Sequence, residues 1–326
     1  MDIRTDIAGS VLYIEDMDGL TMTGDISSPT RITLSTQSGD QILSITHYAD
    51  FEGLIRLDLA NTLKAYASPR VPGDDWACTS EQTLQLIFSI VSSAGGAEEY
   101  SCELNCFSRD AQALMSDIDT LPVPMADMLP IPLTLHSTSG SENVYIETAY
   151  SLTGLFTELC DNVGRSVATK TVYHGTRMDS QPFRILIKGE DGRQLRSPIY
   201  TPTPGEFELF LFRNRFGALE LFPMSGDLHL SANHKFEVSR IGKRYNSSLI
   251  SGENTFTQYS GPLTRKASKV LSSMLADGYA FHYVDGEWKR IVITSANVSL
   301  KKNDMIHRQS FSFRYQEDVD IRNMNI

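Results

Sequence analysis

Apolar and polar side chains alternate along much of this chain, the period-two signature of strands with one face buried. Ile55, Leu57 and Leu59 alternate with Arg56 and Asp58. Leu84, Leu86, Phe88 and Ile90 share one parity, and Tyr100, Cys102, Leu104 and Cys106 share another. These segments predict an N-terminal β domain over residues 1–128. A short helix is expected near Asp110 to Met115, followed by Leu121 to Pro132, where Pro122, Pro124, Pro130 and Pro132 each remove a backbone donor. That stretch reads as an extended connector, with a domain boundary near residue 128.

A central β domain over 129–250 opens with the alternation of Val144, Ile146, Thr148 and Tyr150. Phe183, Ile185 and Ile187 then lead to the turn Glu190-Asp191-Gly192-Arg193, a predicted hairpin. A second proline patch, Pro198 to Pro204, precedes the most apolar stretch, Phe207 to Phe222, which is broken by Asn214-Arg215-Phe216-Gly217. Asn and Gly accept the left-handed conformation of a tight reversal, so this predicts a second hairpin with both arms buried. Farther on, Leu263, Ala267, Val270, Leu271 and Met274 repeat with helical spacing between Pro262 and Gly278. One amphipathic helix is therefore expected near residues 263–276, with Arg265, Lys266 and Lys269 facing outward. Tyr279, Phe281 and Tyr283, the Asp285-Gly286 turn, and Ile291 with Ile293 predict a further hairpin. Phe311, Phe313 and Tyr315 predict a last strand. The fold class is mainly β, in two or three sandwich-like or barrel-like domains. The C-terminal region 251–326 is either separate or one domain with 129–250.

Hydrophobic residues at 41% and charged residues at 21% fit a folded globular chain rather than a disordered one. The net charge of −11 repels phosphate backbones and anionic headgroups, so neither nucleic acid nor membrane is an expected partner. Arg265, Lys266 and Lys269, and Lys301 with Lys302, read as solvated surface. Leu84 to Val91 is far short of the ~20 apolar residues of a spanning helix. Met1 to Ser10 carries Asp2, Arg4 and Asp6, which predicts neither a secretory signal nor a transit peptide. Cys78, Cys102, Cys106 and Cys160 are too scattered for a disulfide scaffold and are expected to be reduced, with Cys102 and Cys106 small buried hydrophobes.

Motifs for catalysis are missing. No Gly-rich phosphate loop or dinucleotide fingerprint follows a strand, Gly95-Gly96 reads as a turn, and Ser139-Gly140-Ser141 lacks the setting of a nucleophile elbow. His229 and His234 have no metal-ligand spacing, so no cofactor and no metal are expected. Glu206 and Glu208 would project from one face of a strand about 7 Å apart, a separation compatible with a glycosidase carboxylate pair. Their alternation with Phe207, Leu209 and Leu211 equally describes a solvated face over a buried one. Trp76, in a loop after Pro72-Gly73-Asp74-Asp75, either docks on its own domain or offers a flat ring to a sugar. Trp288 reads as a cross-strand packing residue.

The order of parts from Thr255 to Asp318 resembles structural tail proteins of tailed bacteriophages and of prophages in gut bacteria, of the distal-tail or adaptor kind. It comprises a Thr255-Phe256-Thr257 strand, the Gly261-Pro262-Leu263-Thr264 helix entry, an aromatic hairpin and the final Phe311-Ser312-Phe313-Arg314 strand. The turn inside Phe212 to Glu220 is similar as well. The resemblance implies a non-enzymatic virion protein, assembled in the host cytoplasm, whose partners are other tail proteins and copies of itself. Phe311, Phe313 and Tyr315 are then candidate assembly contacts through strand edges. Three functions thus stay open: this assembly role, a carbohydrate-binding or host-attachment module using Trp76, and a β-rich glycosidase using Glu206 and Glu208.

Overall fold

The structure is a computed structural model that describes residues 11–13, 17, 20–23, 26–66, 71, 83–92, 96–105, 118–137, 141–159, 166–177, 180–189, 192, 194–214, 217–241, 244–299 and 304–316. Trp76, the helix expected at Asp110 to Met115, and Cys78, Cys106, Cys160, Lys301 and Lys302 lie outside these residues.

The N-terminal part runs β1 (Val11–Tyr13), β2 (Leu20–Thr23), β3 (Thr30–Thr36), β4 (Gln41–His47), β5 (Leu54–Leu57), the short helix α1 (Ala60–Tyr66), β6 (Thr83–Ser92) and β7 (Gly96–Asn105). Its main sheet has the order β1-β7-β6-β3-β4, and β2 pairs with β5. The alternation does what it predicts. Ile32 and Leu34 of β3, Leu86, Phe88 and Ile90 of β6, and Cys102 and Leu104 of β7 turn inward together. They join Met22, Ile55, Leu57 and Leu63 in one buried cluster.

The middle comprises β8 (Thr120–Pro124), β9 (Leu129–Ser137), β10 (Ser141–Thr148), β11 (Leu152–Leu159), β12 (Ser166–His174), β13 (Phe183–Gly189), β14 (Gln194–Arg196) and β15 (Ile199–Thr203). One sheet is ordered β11-β10-β13-β15-β8 with β14 beside β13, and β9 pairs with β12 alone. The expected hairpin at residues 190–193 is the β13–β14 reversal, closed by the Gly192 N–H on Gly189 O at 3.0 Å.

The expected connector at Leu121 to Pro132 is corrected here: it forms β8 and the start of β9. The second proline patch is likewise a strand, and β15 pairs in parallel with β8. The reason lies in the phase of the ladder. Ile199 donates its N–H to Asp119 O at 2.9 Å. Leu121 and Val123 therefore turn their N–H groups toward β15, while Pro122 and Pro124, which have none, face the open side of an edge strand.

The C-terminal part holds β16 (Glu208–Arg213), β17 (Leu219–Met224), β18 (Leu228–Ile241), β19 (Arg244–Tyr259), α2 (Arg265–Asp277), β20 (Tyr279–Val284), β21 (Glu287–Val298) and β22 (Gln309–Tyr315). These strands make a seven-stranded antiparallel sheet ordered β17-β16-β20-β21-β22-β19-β18. The β16–β17 turn is the one the sequence predicts: the Asn214 side chain accepts the Ala218 N–H at 3.0 Å, and Gly217 sits at φ 88°.

Helix α2 matches its sequence signals closely. Thr264 caps it by accepting the Ala267 N–H at 3.2 Å, and Gly278 ends it at φ 76°. Leu263 precedes the helix and forms a bridge with His307. Ala267, Leu271, Met274 and Leu275 face the sheet while Arg265, Lys266 and Lys269 are exposed. Gln309 of β22 donates to Ser268 O at 2.6 Å and to the Ser272 hydroxyl at 2.9 Å, pinning the helix in place.

One buried cluster extends from Ile118 to Phe313 and joins β8–β15 to the seven-stranded sheet. Residue 128 falls between β8 and β9, and residue 250 lies within β19. The chain turns from β17 into β18 at Gly226, where an added Cβ would strike Tyr259 O and come within 2.6 Å of Gly261 N. Gly226→Ala is expected to destabilise the fold by about 3 kcal/mol. Gly39→Ala, strained at φ 93° but in open space, is expected to cost only about 1 kcal/mol. Urea unfolding of both variants measures the difference.

Candidate interaction surface

Strand order decides which predicted contacts are available. β22 lies between β21 and β19, so it is an interior strand. Phe311 is 2% exposed and Phe313 0%, both packed against Phe210, while half-buried Tyr315 meets Phe256 and His282. As assembly contacts these residues are corrected: their rings are used in the chain's own core, and the strand has no free edge. Trp288 packs on its cross-strand partner Tyr283 at 4.8 Å, as expected.

The two carboxylates weighed as a glycosidase pair differ in setting. Glu206 is exposed in the approach to β16, whereas Glu208 faces His282 Nε2 at 2.7 Å. The Nδ1 of that imidazole meets the Tyr315 hydroxyl at 2.9 Å, and Phe210 stacks on the ring at 4.5 Å. With Glu208 ionised, a neutral His282 donates from Nε2 and accepts the phenol proton at Nδ1. Both nitrogens are then satisfied, and the knot joins β16, β20 and β22. The alternation expected in β16 is also absent, because Leu209 to Arg213 are buried on both faces.

A second buried knot holds the end of α2. Arg213 donates to both carboxylate oxygens of Asp277, at 2.6 and 3.2 Å, and its guanidinium lies 4.9 Å from the Tyr279 ring. Arg290 sits 3.5 Å over that ring and donates to Ala280 O. Burial lowers the Arg290 pKa below its ordinary value; Tyr279 opposes that shift, Arg213 adds to it and Asp277 opposes it. Elsewhere burial pushes the Cys102 thiol from 9.0 up to about 11, with Glu103 adding to the shift, so it stays protonated near neutral pH. Burial, reinforced by Glu220 and opposed by a Ser197 hydrogen bond, raises the Tyr200 hydroxyl above its usual range. Tyr200 lines a small cavity with Leu121, Asn214, Glu220, Phe222 and Met274. Among the described residues no cluster of His, Cys, Asp or Glu could hold a metal, and no helix is long and apolar enough to cross a membrane. Exposed His229 packs edge-on against Tyr259.

Among the described residues, the feature that extends beyond the sheet without a third strand is the β18–β19 ribbon. β19 meets β22 only through Phe256 to Tyr259, while its pairing with β18 continues without a break in the chain's path from Thr255 out to Arg244. This two-stranded extension reaches about 40 Å at 3.4 Å per residue. A register shift between Lys235 and Phe236 adds a bulge to it. Its sequence is too polar to have drawn attention, though the Ile241-Gly242-Lys243-Arg244 reversal is a legible hairpin signal.

Exposed aromatic rings at turns were also missed. Phe51 is 87% exposed and Tyr48 64% in a turn held by Asp50, which accepts the N–H groups of Glu52 and Leu54, both at 2.9 Å. Tyr150, 87% exposed, caps the β10–β11 hairpin, where Thr148 accepts the Ser151 N–H. The signal was present in each case as an aromatic beside Asp, Gly or Ser.

The sequence matches no protein-family model and no curated protein. Among solved structures it aligns with Bacteroides ovatus SGBP-B of the mixed-linkage glucan utilization locus, in complex with a mixed-linkage heptasaccharide, at 11% identity and a TM-score of 0.18. That alignment covers 94% of this chain and 66% of that one, so the chain spans about two thirds of its length. It also aligns with titin domains I67–I69, an E-to-A mutated variant, at 12% identity and a TM-score of 0.19, covering 87% of this chain and 94% of that one. At such TM-scores neither likeness bears on function.

Removing one partner of the buried Arg213–Asp277 pair takes a bidentate ion pair from the other charge. Arg213→Met is expected to lose about 3–5 kcal/mol of stability, and Arg213→Met with Asp277→Leu to recover most of it. Paired denaturant titrations measure the recovery.

Proposed function

We propose that this chain is a non-enzymatic structural protein that works by assembling, a ring, adaptor or distal-tail component of a phage-type tail. In this reading it is built in a bacterial cytoplasm and carried in the virion. The observation that supports it is the ribbon. An isolated two-stranded hairpin is marginal in water, and its outer N–H and C=O groups are a template for another chain. A long one on a well-packed body is suited to strand-edge contacts with a neighbour. The tail-like order of parts in residues 255–318 points the same way. Light scattering over a concentration series, followed by negative-stain imaging, is expected to give masses that are multiples of 36.3 kDa and multi-subunit particles. A monomer at every concentration rejects the reading.

The carbohydrate-binding alternative is favoured by one observation, the exposed rings of Tyr48 and Phe51 beside the turn held by Asp50. If a sugar stacks there, affinity electrophoresis in polysaccharide gels retards the protein, and Phe51→Ala abolishes the retardation. Unretarded wild-type protein across a glycan panel rejects it. Trp76→Ala tests the loop tryptophan in the same assay.

A further inference from the structure

We infer that the outer face of the middle sheet binds an acidic polysaccharide, one sugar ring lying on Tyr145 while Arg184, Lys188 and Arg196 take its carboxylates. The inference goes beyond the assembly reading and uses none of the ribbon's residues.

Three observations carry it. The first is the composition of the face. Val144 and Ile146 of β10 and Phe183, Ile185 and Ile187 of β13 point into the buried cluster. The opposite parity therefore points outward: Tyr145 and Glu147 of β10, with Arg184, Leu186 and Lys188 of β13. Arg196 of β14 stands opposite Leu186 and shares that face, while its neighbour Leu195 packs on the core. Three cations thus meet one carboxylate on this face, in a chain whose net charge is −11. At physiological salt, charges more than about 8 Å away are largely screened, so the face acts on a ligand through its own local excess.

The second is how those charges are used. Glu147 is shared between two guanidinium groups, meeting Nε of Arg184 and lying 3.9 Å from Nε of Arg196. One carboxylate cannot neutralise both. Arg184 meets it through Nε, which leaves its terminal nitrogens for the paired oxygens of a ligand carboxylate. The two arginine side chains are 32% and 48% exposed, so both heads can be reached. Lys188 forms no ion pair among the described residues, and its Nζ lies 5.1 Å from the centroid of the Tyr145 ring.

The third is a row that crosses four strands. Gly154 of β11 pairs with Tyr145, Tyr145 with Leu186, and Leu186 with Arg196. At ~4.8 Å between strands the row is about 14 Å long. Gly154 has no side chain to cover the ring, and a Cβ added there would already touch it at 3.8 Å. The half-buried Tyr145 ring thus lies between bare backbone and Leu186, which is 2% exposed. Such a ring offers a flat apolar surface for the face of a sugar. A glycan crossing the strands meets the ring first and the Arg196 guanidinium two strands on, with Lys188 beside them. An acidic peptide answers the cations but has no need of the ring.

The test measures binding of the labelled full chain to polygalacturonate, dextran and poly-glutamate by microscale thermophoresis, in about 0.15 M salt. The variants are Lys188→Gln with Arg196→Gln, which leaves Arg184 to Glu147, and Tyr145→Leu, which keeps an apolar side chain without a ring. Circular dichroism melts verify folding. Wild type is expected to bind polygalacturonate and to ignore dextran. The charge variant is expected to bind at least tenfold more weakly, and Tyr145→Leu about fivefold more weakly. Wild type that ignores polygalacturonate, or a folded charge variant that binds it like wild type, overturns the site. Equal affinity for poly-glutamate, or a folded Tyr145→Leu that binds like wild type, overturns the sugar and leaves an acidic peptide as the ligand. Each of these results leaves the assembly reading intact, since that is decided by particle mass.

Discussion

A strand is half a structure: each one offers a row of N–H and C=O groups that must find a partner, water or a blocked edge. In a protein made of twenty-two strands and two helices among the described residues, that requirement governs the arrangement. Where a neighbour exists the ladder is filled, as along β6, which pairs over its whole length with β7. Where the sheet must stop, proline ends it, as on the outer side of β8. Among the described residues, the β18–β19 ribbon carries ladder groups beyond the sheet with neither a third strand nor a proline to blunt them.

The body can support such a projection because its core is fixed by more than apolar contact. His282 is locked between Glu208 and Tyr315, Arg213 grips Asp277, and Gln309 ties α2 to β22. Hydrophobic burial is non-directional, whereas each of these groups fits one geometry only. They hold β16, β20, β22 and the helix in a single register.

Much of the fold was legible because its signals are local. The caps Thr264 and Gly278 bracket α2, Asn214 with Gly217 turns β16 into β17, and Phe88 and Ile90 reveal the inner face of β6. What escaped depends on partners distant in sequence. Pro122 and Pro124 argue against a strand only if their nitrogens face a neighbour, and the direction they face is set by Ile199 and Asp119. Phe311 and Phe313 alternate like an edge strand's residues. Whether β22 is an edge depends on β19 arriving beside it, across fifty residues of chain. The ribbon escaped for the opposite reason: with no sheet beneath it, no face of it had to be apolar.

The attachment of the ribbon gives the molecule a preferred direction of strength. Four consecutive residues of β19, Phe256 to Tyr259, join it to β22, with Phe256 stacked on Phe313 at 5.4 Å. A pull along the ribbon loads these rungs in parallel, so they must fail together. A sideways pull peels them one at a time, beginning at Phe256. The ribbon therefore resists tension along its own axis far better than bending across it.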